Sequence, residues 1–180
     1  MPKKYIMPPL VLTVICTLVS ALLIIVYNLT YVDTTGIITD KLQKGLNELY
    51  GEHEYTMLKN EDGTVKVYDG ITSVITDDQN HIVFEIVSNG YSKGGIHTLI
   101  GVSDTGIDGI SFIELNETQD VGTKIRDDKS FIKQFLGVNS NEYQFDAISG
   151  ATLSSKGMKS AVDTALKTYK EHKGEILNEQ

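Results

Sequence analysis

The chain has 180 residues, 41% of them apolar and 22% charged, the make-up of a globular chain of about one domain rather than a disordered or fibrous one. Its one cysteine, Cys16, lies in an apolar N-terminal stretch, which excludes a disulfide framework, a cysteine-ligated iron–sulfur cluster and a CxxCH haem site within the chain. The formal net charge is −8, and from Asp33 onward there are 14 basic residues against all 24 acidic ones, a net −10, so nucleic acid and anionic lipid are repelled and no basic stripe exists for a phosphate backbone.

From Ile6 to Val26 there is no charged residue and Leu, Val and Ile dominate, which is long enough to cross a bilayer. A cleaved signal peptide would have a shorter apolar core and a small-residue cleavage site. We therefore read residues 1–5 as a cytoplasmic N-terminus, 6–27 as a transmembrane anchor and 28–36 as a linker that includes Thr34, Thr35 and Gly36. Lys3 and Lys4 precede the span and acids follow it, so the positive-inside rule predicts a cytoplasmic N-terminus at the cell membrane with the remainder outside. Pro8 and Pro9 fall at the inner edge, where a helix start tolerates them.

Ile38, Leu42, Leu46 and Leu49 then recur on one face of a predicted helix, which Gly51 ends. Asn60 to Gly63 read as a turn. Five segments rich in β-branched and aromatic residues follow: Val65 to Tyr68, Ile71 to Ile75, His81 to Val87, Gly95 to Val102 and Ile107 to Ile113. The turns between them are too short for parallel crossovers, so the expected sheet is an antiparallel meander. No GxGxxG stands between a strand and a helix and no Walker sequence occurs, which argues against a Rossmann or P-loop nucleotide site. His53, His81, His97 and His172 have no ligand spacing, so no metal site is expected.

Glu114 to Lys124 is polar and irregular and reads as a surface loop. Ser130 to Phe135 predicts a short helix with Phe131 and Phe135 on one face, ended by Gly137. A last helix carries Met158, Ala161, Val162, Ala165, Leu166 and Tyr169 at core spacing. Before it stands Asp146-Ala-Ile-Ser149-Gly150-Ala151-Thr152-Leu153-Ser154-Ser155. Four small residues let a backbone approach closely, and the hydroxyls of Thr152, Ser154 and Ser155 fall where the helix begins. Two readings stand side by side: Ser154 or Ser155 caps the helix, or the helix start receives a phosphate.

Three segments together resemble a known family: Gly90-Tyr91 with Gly94-Gly95-Ile96, Glu117-Thr118 with Gly122 and Lys124-Ile125, and Asp146 to Thr152 with Ser154 and Ser155. They are similar to the FMN-binding domain of respiratory electron-transfer subunits, foremost the G subunit of the Rnf complex and more distantly the C subunit of the sodium-pumping NADH:quinone oxidoreductase. The resemblance implies an α+β fold, a largely antiparallel sheet packed with helices, as an extracytoplasmic FMN-binding domain over residues 37–180. It also implies FMN bound covalently through a phosphoester to Thr152, with Ser149, Gly150, Ala151, Leu153, Ser154, Ser155, Glu117, Thr118 and Gly122 around it.

An FAD-dependent flavin transferase would make that bond and read the motif, Asp146 included. The implied partners are the other membrane subunits of an Rnf-type complex, which oxidises ferredoxin, reduces NAD and couples this to ion transport, with this subunit as a relay and no catalytic side chain of its own. A stand-alone surface flavoprotein and an anchored non-redox sensor or adhesion domain are the alternatives. The family's loop usually reads Glu-Thr-Pro-Gly-Leu-Gly, whereas Gln119 and Asp120 here replace Pro and the first Gly, so a changed loop backbone is expected.

Overall fold

In the computed structural model, which describes residues 3–30 and 36–178, the apolar N-terminal sequence forms helix α1, Lys3–Thr30. Its Met7–Thr30 stretch has a mean hydropathy of 2.8 over its most apolar window and is long and apolar enough to cross a membrane. The helix starts ahead of Pro8 and Pro9 rather than at them, so both prolines lie inside it. It also runs on through Asn28 to Thr30, the first part of the expected linker. Thr34 and Thr35 lie outside the described residues. The chain divides into two compact units, Met1–Thr34 and Thr35–Gln180.

In the second unit, α2 spans Asp40–Tyr50. Thr39 caps its start, its side chain accepting the Leu42 N–H, and Gly51 ends it at φ +91°, a left-handed conformation that only glycine adopts without steric cost. A five-stranded sheet follows in chain order: β1 Tyr55–Met57, β2 Ser73–Asp77, β3 Ile82–Ser88, β4 Ile96–Ser103 and β5 Gly106–Leu115. All neighbours are antiparallel, so the expected meander is what forms.

Its two faces carry separate cores. Leu42 and Leu46 of α2 pack with Met57, Ile75, Val83 and Leu99 on one side. On the other, Val74, Phe84, Ile86, Ile96 and Ile100 meet Met158, Ala161, Val162, Ala165 and Leu166 of the long helix α5, Thr152–Asn178. The expected stripe on α5 is buried in full, Tyr169 included. The result is an α+β fold with a helix on each face of an antiparallel sheet.

Several elements differ from the sequence reading. Val65 to Tyr68 is not a strand: Lys59 and Val65 form one isolated bridge, Tyr68 and Ile71 another. Two tight turns at Asn60–Gly63 and Asp69–Gly70 take up the backbone there, and the inward residue is Lys66, whose Nζ pairs with Glu175 at 2.7 Å. β2 lies two residues later than expected, and β1 had no counterpart. The 114–124 stretch divides between the end of β5, a turn, and the start of a four-residue helix α3, Lys124–Asp127. Helix α4 covers Lys129–Lys133, and Phe131 and Phe135 are both buried although Phe135 lies just past its end.

Candidate functional site

The approach to α5 is fixed from both sides. Gln134 grips the backbone of Asp146, its Oε1 accepting the Asp146 N–H at 2.8 Å and its Nε2 donating to the Asp146 carbonyl at 3.2 Å. Gly150 then turns the chain at φ +81°. The Ala151 N–H donates to Ile148 O at 2.9 Å, and Ala151 O accepts the Ser155 N–H at 2.9 Å. Ala151 thus stands at the N-cap position, and a methyl group offers no acceptor to the first-turn N–H groups of Thr152, Leu153 and Ser154. The helix therefore begins with its positive end chemically open.

This corrects the capping reading. Thr152 is already the first residue of α5, so Ser154 and Ser155 sit inside the helix, and both hydroxyls are engaged elsewhere. Ser155 Oγ, fully buried, accepts the Ile148 N–H at 3.1 Å and ties the entering chain to the helix. Ser154 Oγ, 2% exposed as a residue, donates to Glu117 Oε2. Thr152 by contrast is exposed.

Glu117 draws the remaining pieces together. Its Oε2 accepts the Tyr91 N–H and its Oε1 the Ser92 N–H, each at 3.0 Å. Glycines leave room for this carboxylate: a Cβ on Gly90 would lie 2.7 Å from Oε1, one on Gly95 would overlap the same atom, and one on Gly122 would lie 2.7 Å from Glu117 Cβ. The loop beyond closes on the Thr118 carbonyl, which accepts the Gly122 N–H at 2.8 Å. Asp120 adopts φ +59° and donates its N–H to Thr123 Oγ1 at 3.0 Å. The loop therefore closes with an aspartate in the left-handed region that glycine favours and aspartate tolerates.

Between the loop and the helix start lies a cavity of about 250 Å³, lined by Thr118, Val121, Gly122 and by Gly150 to Ser154, with Tyr91 at its edge. Tyr91, Leu153 and Val121 are 73%, 55% and 40% exposed. Three apolar side chains facing solvent around one cavity are a feature of a ligand surface.

The fold thus brings Thr118, Gly122, Gly150, Ala151, Thr152, Leu153 and Ser154 of the expected site to one cavity. Glu117, Ser149, Ser155 and Asp146 do not line it. Glu117 supports it from behind, and Asp146 is exposed where Gln134 holds its backbone. Tyr91 and Val121 are lining residues that the expected site lacked. Tyr91 stood in the first of the three resembling segments, and that was its signal. Gly157 was also missed: a Cβ there would overlap Asn89 O, so its absence lets α5 close onto the turn that carries Tyr91.

A search of curated proteins finds no match for the chain. Residues 90–167 match the family model of the FMN-binding domain, a stretch that runs from the Gly90 turn through the loop and cavity to the middle of α5.

Proposed function

We propose that the protein is a membrane-anchored flavoprotein that relays electrons through an FMN joined by a phosphoester to Thr152, as a subunit of an Rnf-type ferredoxin:NAD oxidoreductase coupled to ion transport. The observation that carries the attachment point is the state of the hydroxyls at the start of α5. Those of Ser154 and Ser155 are buried and hydrogen-bonded, and Ser149 lies off the cavity. Of the hydroxyl residues at the start of α5, Thr152 alone is both exposed and on the cavity wall; Thr118, also exposed on that wall, belongs to the loop rather than to the helix start.

The residues present fit the group. The uncapped N–H groups at the start of α5 would receive the phosphate charge, and Tyr91, Val121 and Leu153 would offer apolar surface to the ring system. When bound, FMN supplies reversible one- and two-electron transfer, and the chain supplies position and electrostatics. No side chain of the site needs to act as acid, base or nucleophile towards a substrate. Attachment belongs to an FAD-dependent transferase: the Thr152 oxygen forms the new bond to phosphorus, the pyrophosphate bond of FAD breaks with AMP leaving, and the hydroxyl proton passes to solvent. The apolar helix α1 would anchor the chain with its N-terminus in the cytoplasm, beside the other membrane subunits.

The test is an intact mass and in-gel fluorescence after denaturation of the chain co-produced with a flavin transferase. The mass should rise by one FMN ester, and the fluorescence should survive denaturation and vanish in Thr152→Ala. Covalent flavin on the Thr152→Ala chain would overturn the assignment. Co-purification with integral membrane partners tests the complex.

A further inference from the structure

Glu117 brings its carboxylate to a place where three donors meet. The N–H groups of Tyr91 and Ser92 and the Ser154 hydroxyl converge on its two oxygens. Consecutive backbone N–H groups pointing at one anion form a nest, and here the anion comes from the chain itself. The carboxylate joins three segments distant in sequence: the turn 90–95, the loop that begins at Glu117, and the first turn of α5. Gly90, Gly95 and Gly122 keep clear the volume it occupies.

The 89–95 turn has other bonds. Gly94 N–H donates to Asn89 Oδ1 at 2.7 Å, and Gly90 N–H and Gly95 N–H both donate to Ser92 O at 3.2 Å. These close the turn on itself. Gly95 O accepts the Asn116 N–H at 2.7 Å and ties down its far end. The bond from the Tyr91 N–H runs to Glu117, and Tyr91 has the exposed ring at the cavity edge.

We propose that Glu117 is a positioning residue: its carboxylate clamps the Tyr91 turn to the start of α5 and so sets where the Tyr91 ring stands at the cavity. This rests on the flavin reading for what the ring faces, but the clamp itself is a property of the unloaded chain. Glutamine in place of Glu117 keeps the volume while turning an NH₂ group towards donors. At least one of the three bonds is then lost, and charge-assisted bonds become neutral ones. Ser154→Ala removes the helix end of the clamp and leaves the turn end.

The experiment uses the full chain in detergent, with and without flavin. In the unloaded chain, hydrogen exchange should show lost protection of the Tyr91 and Ser92 amides in Glu117→Gln and Glu117→Ala, while the amides of β3 and β4 keep theirs. In the loaded chain, Glu117→Gln should change the flavin fluorescence and visible absorption in the same direction as Tyr91→Ala. Combining the two should add little, because both act through one ring. Unchanged exchange at residues 91 and 92 in Glu117→Gln overturns the clamp, and so do spectral changes that add independently. A wild-type chain that takes up no flavin overturns the proposed function instead, and exchange still decides the clamp.

Discussion

Glu85 and Asp77 are the carboxylates that the fold buries among the described residues, and the partners of Glu85 make it sensitive to acid. Glu85 is 7% exposed on β3, where its Oε2 accepts the Ser73 hydroxyl at 2.5 Å and its Oε1 meets His97 Nε2 at 2.8 Å. Burial pushes the carboxyl pKa up, but the hydrogen bonds from His97 and Ser73 and the charge of His97 outweigh it, leaving the group below its ordinary value. A carboxyl whose folded pKa is lowered stabilises the fold above its ordinary pKa, and that stabilisation is lost as pH falls through the folded value. Glu85→Gln should therefore cost about 1–3 kcal/mol at neutral pH, the penalty for weakening a buried bonded network. Denaturant titrations at a series of pH values should show the gap closing below the ordinary carboxylate range, and a gap that persists in acid would contradict the linkage. Such pairings were illegible in the sequence because they span the sheet. Ser73, Glu85 and His97 meet through strand register, and His53 finds Asp78 at 2.9 Å from 25 residues away, whereas His81 pairs locally, with Asp77 at 2.7 Å across the turn between β2 and β3. The Ser-Gly-Ala-Thr run was legible because its chemistry is local: small residues, a turn and a helix start in consecutive positions.

Among the elements, α5 was the most legible, whereas β2 was expected two residues too early, for the same physical reason. An amphipathic helix writes its burial into one strand of sequence, whereas β2 is buried on both faces and includes Ser73, Thr76 and Asp77. Asp77 looks like a turn residue, yet it ends the strand buried because its Oδ1 accepts the N–H groups of Gln79 and His81 and its Oδ2 takes the His81 ring. β1 has three residues on a sheet edge and α3 has four, too few for any periodicity to show. How α5 sits on its neighbours depends on Gly157. Its missing side chain admits the Asn89 carbonyl, and an added Cβ would also lie 2.9 Å from Ile96 Cδ1. Gly157→Ala gains helix propensity but must push the helix from the turn, and overpacking of this kind costs about 1–3 kcal/mol. The expected result is a lower thermal midpoint together with faster exchange across residues 89–95, since that turn is what the methyl would displace. A midpoint equal to or above wild type would show that helix and turn are not in the contact described.

At the scale of the molecule, the helix apolar enough to cross a membrane and the residues that build the cores are kept apart in the sequence. The apolar residues of α1 have the length and hydropathy for a span, while both cores of the second unit are built from residues at or beyond Ile38. The charge is divided the same way: the segment from Asp33 onward carries a net −10, and the stretch before it contains Lys3 and Lys4 and no acid. A net charge of that size keeps a small domain soluble and monomeric. A chain beginning at Gly36 should therefore be soluble without detergent and unfold in one cooperative transition. Its thermal midpoint should match that of the full chain in detergent, because the sheet, α2 and α5 would lose no core residue. The comparison is made by circular dichroism on the two proteins at the same pH and salt. If the shortened chain aggregates, or melts well below the full chain, then residues of the first unit contribute to the stability of the second, and the division into an anchor and an independently folding domain does not hold.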